Sequence, residues 1–488
     1  MTMTKRVVIS LLLGLVLVSL AGAAALQDDL HGRRERFMQL LGPDSMLILW
    51  SAPERVYSGD VNYPYRQDSN FFYLTGIEQP ESILVILPGN KTKKEILFVR
   101  PRDPVREHWE GHSLSADEAV RLSGINTVYQ TIEFKPFLDS VLAGKSYETE
   151  IGVTTSDYDR FFTALKNNAA QVAVVGPPPG VSGSLPDSYA FVNKLRERFS
   201  GFQMRDVTPL FGTLRLIKTD YERKMLEESA RISGEAHRAG MKTARPDVWE
   251  YEVQAAMEYT FRKDGAIGWG YPSIIASGPN ATTLHYEAST RQMKNGDLLL
   301  VDAAANYNYM TTDITRTYPV NGKFTSAQKD IYEIVLRAQD EGIKAAVAGA
   351  TLRDINRRTV EVIAEGLRKS GLITDVKGDQ YSVWYTHSSS HWIGLDVHDV
   401  GGRNAPLADG MAFTIEPGIY IRQEALDNLP KTPENVAFIQ KVQSAVEKYK
   451  DIGVRIEDSF IMAGGHAVQL SVGIPRTVDE IETFMKLR

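Results

Sequence analysis

The 488-residue sequence contains no cysteine, which excludes disulfides and every thiolate metal site or thiol nucleophile together. Any metal must then be held by oxygen and imidazole. An excess of positive charge is missing as well: 55 Lys and Arg stand against 61 Asp and Glu, a formal net charge of -6, which argues against nucleic acid as a partner. Long apolar runs are absent apart from the uncharged stretch Val7 to Leu26, which follows Lys5 and Arg6 and ends in small residues. Ala21-Gly22-Ala23 and Ala23-Ala24-Ala25 both suit a signal-peptidase site, so residues 1–25 read as an export signal and the mature protein as periplasmic or secreted. The competing reading is an N-terminal membrane anchor; once the signal is cleaved, no stable membrane association is expected. At 43% hydrophobic and 24% charged residues, the rest is ordinary globular material, long enough for two or three domains and without a visible internal repeat.

Two parts follow the signal. The first, residues 26–213, opens with an amphipathic helix predicted from Asp29 to Leu41 and continues with short strands at Met46 to Trp50, Ser82 to Leu87 and Glu95 to Val99, between helical patterns. That alternation predicts an α/β layer. The run Gly176-Pro177-Pro178-Pro179-Gly180 reads as a surface connection. The second part, residues 214–488, begins at a capping box, Thr219-x-x-Glu222, ahead of a helix with Met225, Leu226, Ser229, Ile232 and Ala236 at helical spacing.

Everything chemically informative lies in the second part. Asp302 closes the apolar run Leu298 to Val301, a predicted strand launched by the turn Asn295-Gly296-Asp297. A second strand is predicted from Met310 to Val320, and a hairpin centred between Tyr307 and Asn308 sets Asp302 directly opposite Asp313. Their Cβ atoms would then be roughly 4.5 to 5.5 Å apart, and two ionised carboxylates so placed repel unless a proton or cation lies between them. Alone, Asp302 would read as a turn cap, and Asp313, mid-strand where aspartate is depleted, as an ion pair with Arg316. Glu416 precedes Pro417 and shares a strand face with Thr414; Glu457 shares one with Arg455, opposite Val454 and Ile456. A surface strand could alternate in this way, but it would not collect four acids beside the segment His387-Ser388-Ser389-Ser390-His391-Trp392-Ile393-Gly394-Leu395-Asp396-Val397-His398. Serine and glycine argue against a helix there, so His387 and His391 are not a helical zinc pair. Another histidine, His285, lies in Thr283-Leu284-His285-Tyr286. Four carboxylates with one imidazole, His391, suit a pair of hard divalent ions such as Mn2+ better than zinc.

The order Asp302, Asp313, His391, Glu416 and Glu457 resembles the metal site of the pita-bread (creatinase/aminopeptidase) metallopeptidases, the group of methionine aminopeptidase, prolidase and aminopeptidase P. The strings Ser390 to Gly401, Thr414 to Tyr420 and Gly453 to Asp458 are similar to aminopeptidase P, as are Tyr65 to Gly76 and Val99 to Pro104 in the first part. The resemblance implies an α/β N-terminal domain and an α+β catalytic domain, a curved antiparallel sheet cradling the metals with helices behind. It further implies that Asp302 binds one metal, that His391 and Glu416 bind the other, and that Asp313 and Glu457 bridge them around a hydroxide. Glu416 would be the general base, His285, His387 and His398 substrate-side histidines, and Arg455 an arginine behind the ligands. The expected substrate is a peptide with proline second, cleaved before the proline; a prolidase restricted to Xaa-Pro dipeptides, or a metal-free binding protein of the same fold, are the alternatives. Between Glu416 and Glu457 lies extra material with Val436, Ile439, Val442, Val446 and Tyr449 at helical spacing. This predicted helix could narrow the cleft, serve a homo-oligomer contact, or be a packed surface excursion.

Overall fold

A computed structural model of the chain describes residues 25–147, 157–176 and 183–487. The export-signal reading therefore falls on residues outside those described, apart from position 25, as does the proline run at 177–179. The chain divides into two compact units, Met1–Leu214 and Arg215–Arg488.

In the first unit a helix over residues 25–41 precedes a six-stranded sheet. Its spatial order is Thr127–Gln130, Glu95–Val99, Ile83–Ile86, Ser45–Trp50, Ala170–Val174, Phe202–Asp206. The central pairs are antiparallel and the outer ones parallel, giving a mixed sheet with helices packed on it, as the alternating pattern predicts. Met46, Ile48, Val85, Ile96, Phe98, Phe137 and Val172 fill one core. The Tyr65 to Gly76 string has a local structural cause: Asp68 caps the helix Ser69–Thr75 by accepting from the Asn70 and Phe71 N–H groups, and Gly76 ends it at φ 64°, a left-handed position that favours glycine.

The second unit starts with the predicted capping box. Thr219 caps Asp220–Thr243, a helix that buries Leu226, Ser229, Ile232 and Ala236. Its β-strands pair antiparallel throughout the described residues: Ile274–Ser277 with Leu298–Asp302, Leu298–Asp302 with Thr315–Pro319, Ala412–Ile415 with Asp458–Ala463, and Gly418–Ile421 with Ile452–Arg455. Leu299, Val301, Tyr318, Val454 and Ile456 point into a core shared with Ile232, Met257, Ile331, Val335 and Leu367 from the helices. The opposite faces, carrying Asp302, Arg455 and Glu457, are thereby turned toward the site.

Two expectations need correction. The hairpin is centred one residue later, between Asn308 and Tyr309, both of which take left-handed φ (48° and 68°). Asp302 consequently faces Thr315, not Asp313. Nor is Met310 to Val320 one strand: it divides into Met310–Thr311 and Thr315–Pro319, with Asp313 in the link between them. Glu416 and Glu457 likewise lie in breaks, after Ala412–Ile415 and after Ile452–Arg455. Their backbones stay paired outside the named strands: the Glu416 N–H donates to the Ser389 carbonyl at 2.8 Å, and Glu457 and Thr315 exchange N–H···O bonds at 3.1 and 3.3 Å.

The extra material between Glu416 and Glu457 does form a helix, Pro433–Tyr449. Phe438, Val442, Val446 and Tyr449 pack into the core of the second unit, while Val436, placed by its spacing on the apolar stripe, is exposed. The helix spends its apolar face inside the unit and supplies none of the residues that line the cavity described below.

Candidate metal centre

Asp302, Asp313, His391, Glu416 and Glu457 meet at the floor of a cavity of about 430 Å³. His391 Nε2 lies 3.4 Å from Asp313, 3.6 Å from Glu416 and 3.8 Å from Glu457. Asp302, Asp313 and Glu457 form one set of mutually close ligand atoms, His391, Glu416 and Glu457 a second, and Asp313, His391 and His398 a third, each able to hold a cation. Asp313, His391 and Glu457 thus each belong to two sets. Although Asp302 and Asp313 are not cross-strand partners, they converge on the Tyr271 hydroxyl, which lies 2.7 Å from Asp302 and 2.5 Å from Asp313. Tyr271 reaches them because Gly270 crosses Thr311 so closely that a Cβ there would lie 1.9 Å from the threonine hydroxyl.

The surroundings fix the orientation of each group. The Thr315 hydroxyl donates to Glu457 Oε2 at 2.7 Å, while the buried Glu457 Oε1 has no hydrogen-bond partner. With Nδ1–H placed toward the Trp392 carbonyl, 3.1 Å away, His391 aims the lone pair of Nε2 at the carboxylates. Arg455 donates to Asp302 at 2.6 Å and to the Tyr420 hydroxyl at 2.8 Å; that hydroxyl lies 2.8 Å from His387 Nε2, and His387 Nδ1 lies 2.9 Å from the Ser388 carbonyl. This relay is satisfied by one neutral tautomer of His387: Arg455 to Tyr420, Tyr420 to Nε2, Nδ1–H to Ser388. His285 and His398 also line the cavity, and the His398 ring stands edge-on 4.5 Å from that of His391.

Electrostatics follow from burial. Removal from water and the neighbouring Glu457 charge push both Asp313 and Glu416 well above the usual carboxylate range, Asp302 adding to the effect on Asp313. For Asp302, burial acts upward but the Arg455 charge and the Tyr271 hydroxyl outweigh it and hold the carboxyl below its ordinary value. Burial alone would depress His391, yet the surrounding carboxylates of Asp313, Glu457 and Glu416 raise it well above a normal imidazole. His387, buried and facing Arg455, is lowered to about 3 and stays neutral. In this protein-only balance, protons occupy the place that cations would take. The donor set fits divalent metal: an unpartnered carboxylate oxygen, an imidazole lone pair aimed at three acids, and carboxylates that resist simultaneous ionisation.

A pH dependence follows. In metal-free protein the unfolded chain sheds the Asp313 and Glu416 protons near pH 4, while the folded chain retains them to higher pH. Between those points the folded state binds more protons, so its stability falls as pH rises. His391, also raised, acts in the same direction above about pH 6.5. Cations replace those protons, and the gap in melting temperature between metal-loaded and chelated protein should widen from about pH 5 to about pH 8 in thermal melts. A gap that is constant or narrows with pH would contradict this account.

Sequence reasoning reaches the five central residues and the three cavity histidines but misses Tyr271, Thr315 and Tyr420. A hydroxyl adds no charge to the sequence pattern, and only the close approach at Gly270 marks Tyr271, which a sequence does not display. Asp313 also lacks its expected partner, because Arg316 pairs with Asp458 at 2.7 Å.

The comparisons with known proteins agree with this geometry. The profile of metallopeptidase family M24 matches residues 224–463, and that of the aminopeptidase P N-terminal domain matches residues 30–150. A Xaa-Pro aminopeptidase of Haemophilus influenzae is 34% identical over 468 residues, covering 94% of this chain and 97% of its own. Among solved structures, aminopeptidase P from E. coli with the inhibitor Pro-Leu aligns at TM-score 0.78 and 30% identity, covering 94% of this chain and 98% of its own. The Zn-substituted E. coli enzyme in complex with product aligns at 0.77, with the same identity and coverage. The chain belongs to metallopeptidase family M24. It is a metal-dependent peptidase with an aminopeptidase P type N-terminal domain.

Proposed function

We propose that this chain is a Xaa-Pro aminopeptidase, which releases the first residue of a peptide whose second residue is proline. The observation that carries the reading is the buried convergence of Asp302, Asp313, His391, Glu416 and Glu457 beneath an open cavity, in a chain whose relative of that name aligns over nearly its full length. In this reading Asp302 would hold one cation and His391 and Glu416 the other, with Asp313 and Glu457 available to both. The oxygen-rich donor set favours manganese or a similarly hard ion.

A pair of divalent cations held there would supply two things, a lowered pKa for the attacking water and polarisation of the substrate carbonyl. The chain's own residues do the rest. Glu416 takes the proton of the attacking water and returns it to the departing proline nitrogen. Arg455 keeps Asp302 ionised through their 2.6 Å contact. His387, neutral and fixed by Tyr420, presents a stable ring beside Glu416, while His285 and His398, also in the cavity lining, would meet the charge that develops on the carbonyl oxygen. Proline at the second position has no N–H to offer, and this arrangement grips the carbonyl side of the scissile bond, so the missing donor costs it nothing. The export reading of residues 1–25 is part of the proposal and rests on Lys5, Arg6 and the uncharged run after them.

Purified protein incubated with manganese and Xaa-Pro-Yaa tripeptides should release free Xaa, and chelator should abolish the release. No release across several Xaa would sink the proposal. Cleavage of Xaa-Pro dipeptides with tripeptides left intact would instead establish the prolidase alternative.

A further inference from the structure

Beside the cavity lies an ionic cluster that the metal chemistry does not use. The Asp399 side chain is buried between two cations: its Oδ1 is 2.5 Å from Arg215 Nη2 and its Oδ2 is 2.9 Å from Lys218 Nζ, both of those side chains equally withdrawn from solvent. Arg215 also reaches Asp396 at 2.7 Å, and Asp396 is 40% exposed. Lys218 Nζ donates to the Arg215 carbonyl at 2.5 Å. The loop is moulded to this carboxylate. Asp399 N–H donates to the Trp392 carbonyl at 2.9 Å, and a Cβ on Gly394 would lie 2.1 Å from Asp399 Oδ2.

Buried ion pairs are poor devices for stability, because desolvation cancels most of their attraction and apolar replacements often do as well. What this one does is local. His398 sits between Asp396 and Asp399, and its ring stands against His391 at 4.5 Å and 86°. Among the described residues no hydrogen bond to the His398 ring is found. Its position is therefore set by the backbone it is mounted on, and that backbone is pinned by Asp399 on one side and Asp396 on the other.

We propose that Asp399, clamped by Arg215 and Lys218, is a positioning residue that holds His398 over the metal cluster. The inference rests on the aminopeptidase reading for its kinetic consequence and on geometry alone for its structural one. Displacement of a substrate-side group by about 1 Å costs up to about 10²-fold in rate. Residues that act through one another give non-additive effects.

The test is a double-mutant cycle in the full-length, manganese-loaded protein, with Lys218→Met and Asp399→Asn made singly and each combined with His398→Ala. Lys218→Met keeps the Arg215–Asp399 pair and so supplies a folded variant if Asp399→Asn does not fold. Each single change should lower kcat/KM on an Xaa-Pro-Yaa tripeptide about 10- to 100-fold with bound metal unchanged, and should lower it less than about twofold once His398 is absent. Unaltered kcat/KM in the single variants, or an undiminished loss on the His398→Ala background, would overturn the inference. A second arm does not depend on turnover: the ring signal of His398 in protein labelled with ¹³C-histidine, identified by its disappearance in His398→Ala, should shift or broaden in Lys218→Met, and an unmoved signal refutes the clamp. Inactivity of the wild-type protein on every tripeptide would refute the peptidase reading, leaving the resonance to decide this one.

Discussion

Replacing Glu416 by glutamine should lower kcat on Xaa-Pro-Yaa peptides by about 10³-fold or more while leaving the fold intact, since general acid–base groups contribute roughly 10² to 10⁴ in rate. The substituted amide could still offer an oxygen to a cation, but it can no longer accept the water's proton, and the loss should fall on kcat more than on KM. A second signature distinguishes this from damage to the structure. Glu416 is an acid that burial and the Glu457 charge hold well above its ordinary range, so its ionisation destabilises the metal-free fold. Removing that ionisable group relieves the repulsion, and metal-free Glu416→Gln protein at about pH 8 should melt no lower than metal-free wild type. Steady-state kinetics with paired thermal melts checks both. Activity within about tenfold of wild type would remove Glu416 from the proposed chemistry.

Arg316→Met should be the most destabilising of the substitutions considered. Arg316 and Asp458 are both fully withdrawn from solvent. The guanidinium donates to Asp458 at 2.7 Å and to the Glu457, Thr315 and Pro475 carbonyls at 2.7, 3.0 and 3.1 Å. Asp458 in turn accepts from the Ser471 hydroxyl at 2.6 Å and from Gln339 at 3.1 Å. Deleting the cation alone strands a buried carboxylate and takes one donor from each of three carbonyls, of which those of Glu457 and Thr315 keep the N–H bonds they exchange, a loss of about 3 to 5 kcal/mol. At roughly 2 to 4 °C per kcal/mol for a domain of this size, calorimetry should show the second unit melting about 6 to 20 °C lower. Adding Asp458→Leu to Arg316→Met should recover part of the loss, because the unpaired charge disappears with it. A melting point within about 2 °C of wild type for Arg316→Met would contradict the argument. Since Arg316 grips the carbonyl of Glu457, reduced metal content should accompany the lowered stability.

These two residues also illustrate what a sequence displays and what it hides. Glu416 is legible because an acid ahead of Pro417, in an otherwise apolar strand pattern, demands a reason. Arg316 reads as a partner for Asp313, since sequence offers proximity along the chain and not the antiparallel contact that brings Asp458 to it. The hairpin shows the same limit. Tyrosine seldom takes a left-handed φ, so nothing in Asn306-Tyr307-Asn308-Tyr309 announces that Tyr309 does, and the pattern centres the turn one residue early. The convergence of Asp302 and Asp313 survives that shift, because Asp313 lies only two residues from the Thr315 that Asp302 faces, and the Tyr271 hydroxyl joins the two acids. Strand breaks at Asp313, Glu416 and Glu457 are not legible at all: a broken and a continuous ladder carry the same alternation of apolar and polar residues. The helix Pro433–Tyr449 is legible as a helix, but its role is not, since spacing cannot tell whether an apolar stripe faces its own core or a partner.

The central claim is that four buried carboxylates and His391 coexist because divalent cations lie among them. Elemental analysis of the full-length protein after dialysis against metal-free buffer tests it most directly, with Asp313→Ala measured alongside. The account predicts about two divalent ions per chain in wild type and fewer than about one in Asp313→Ala, with peptidase activity falling in step. Full activity in wild-type protein carrying no bound metal, or unchanged metal content after loss of Asp313, would contradict it.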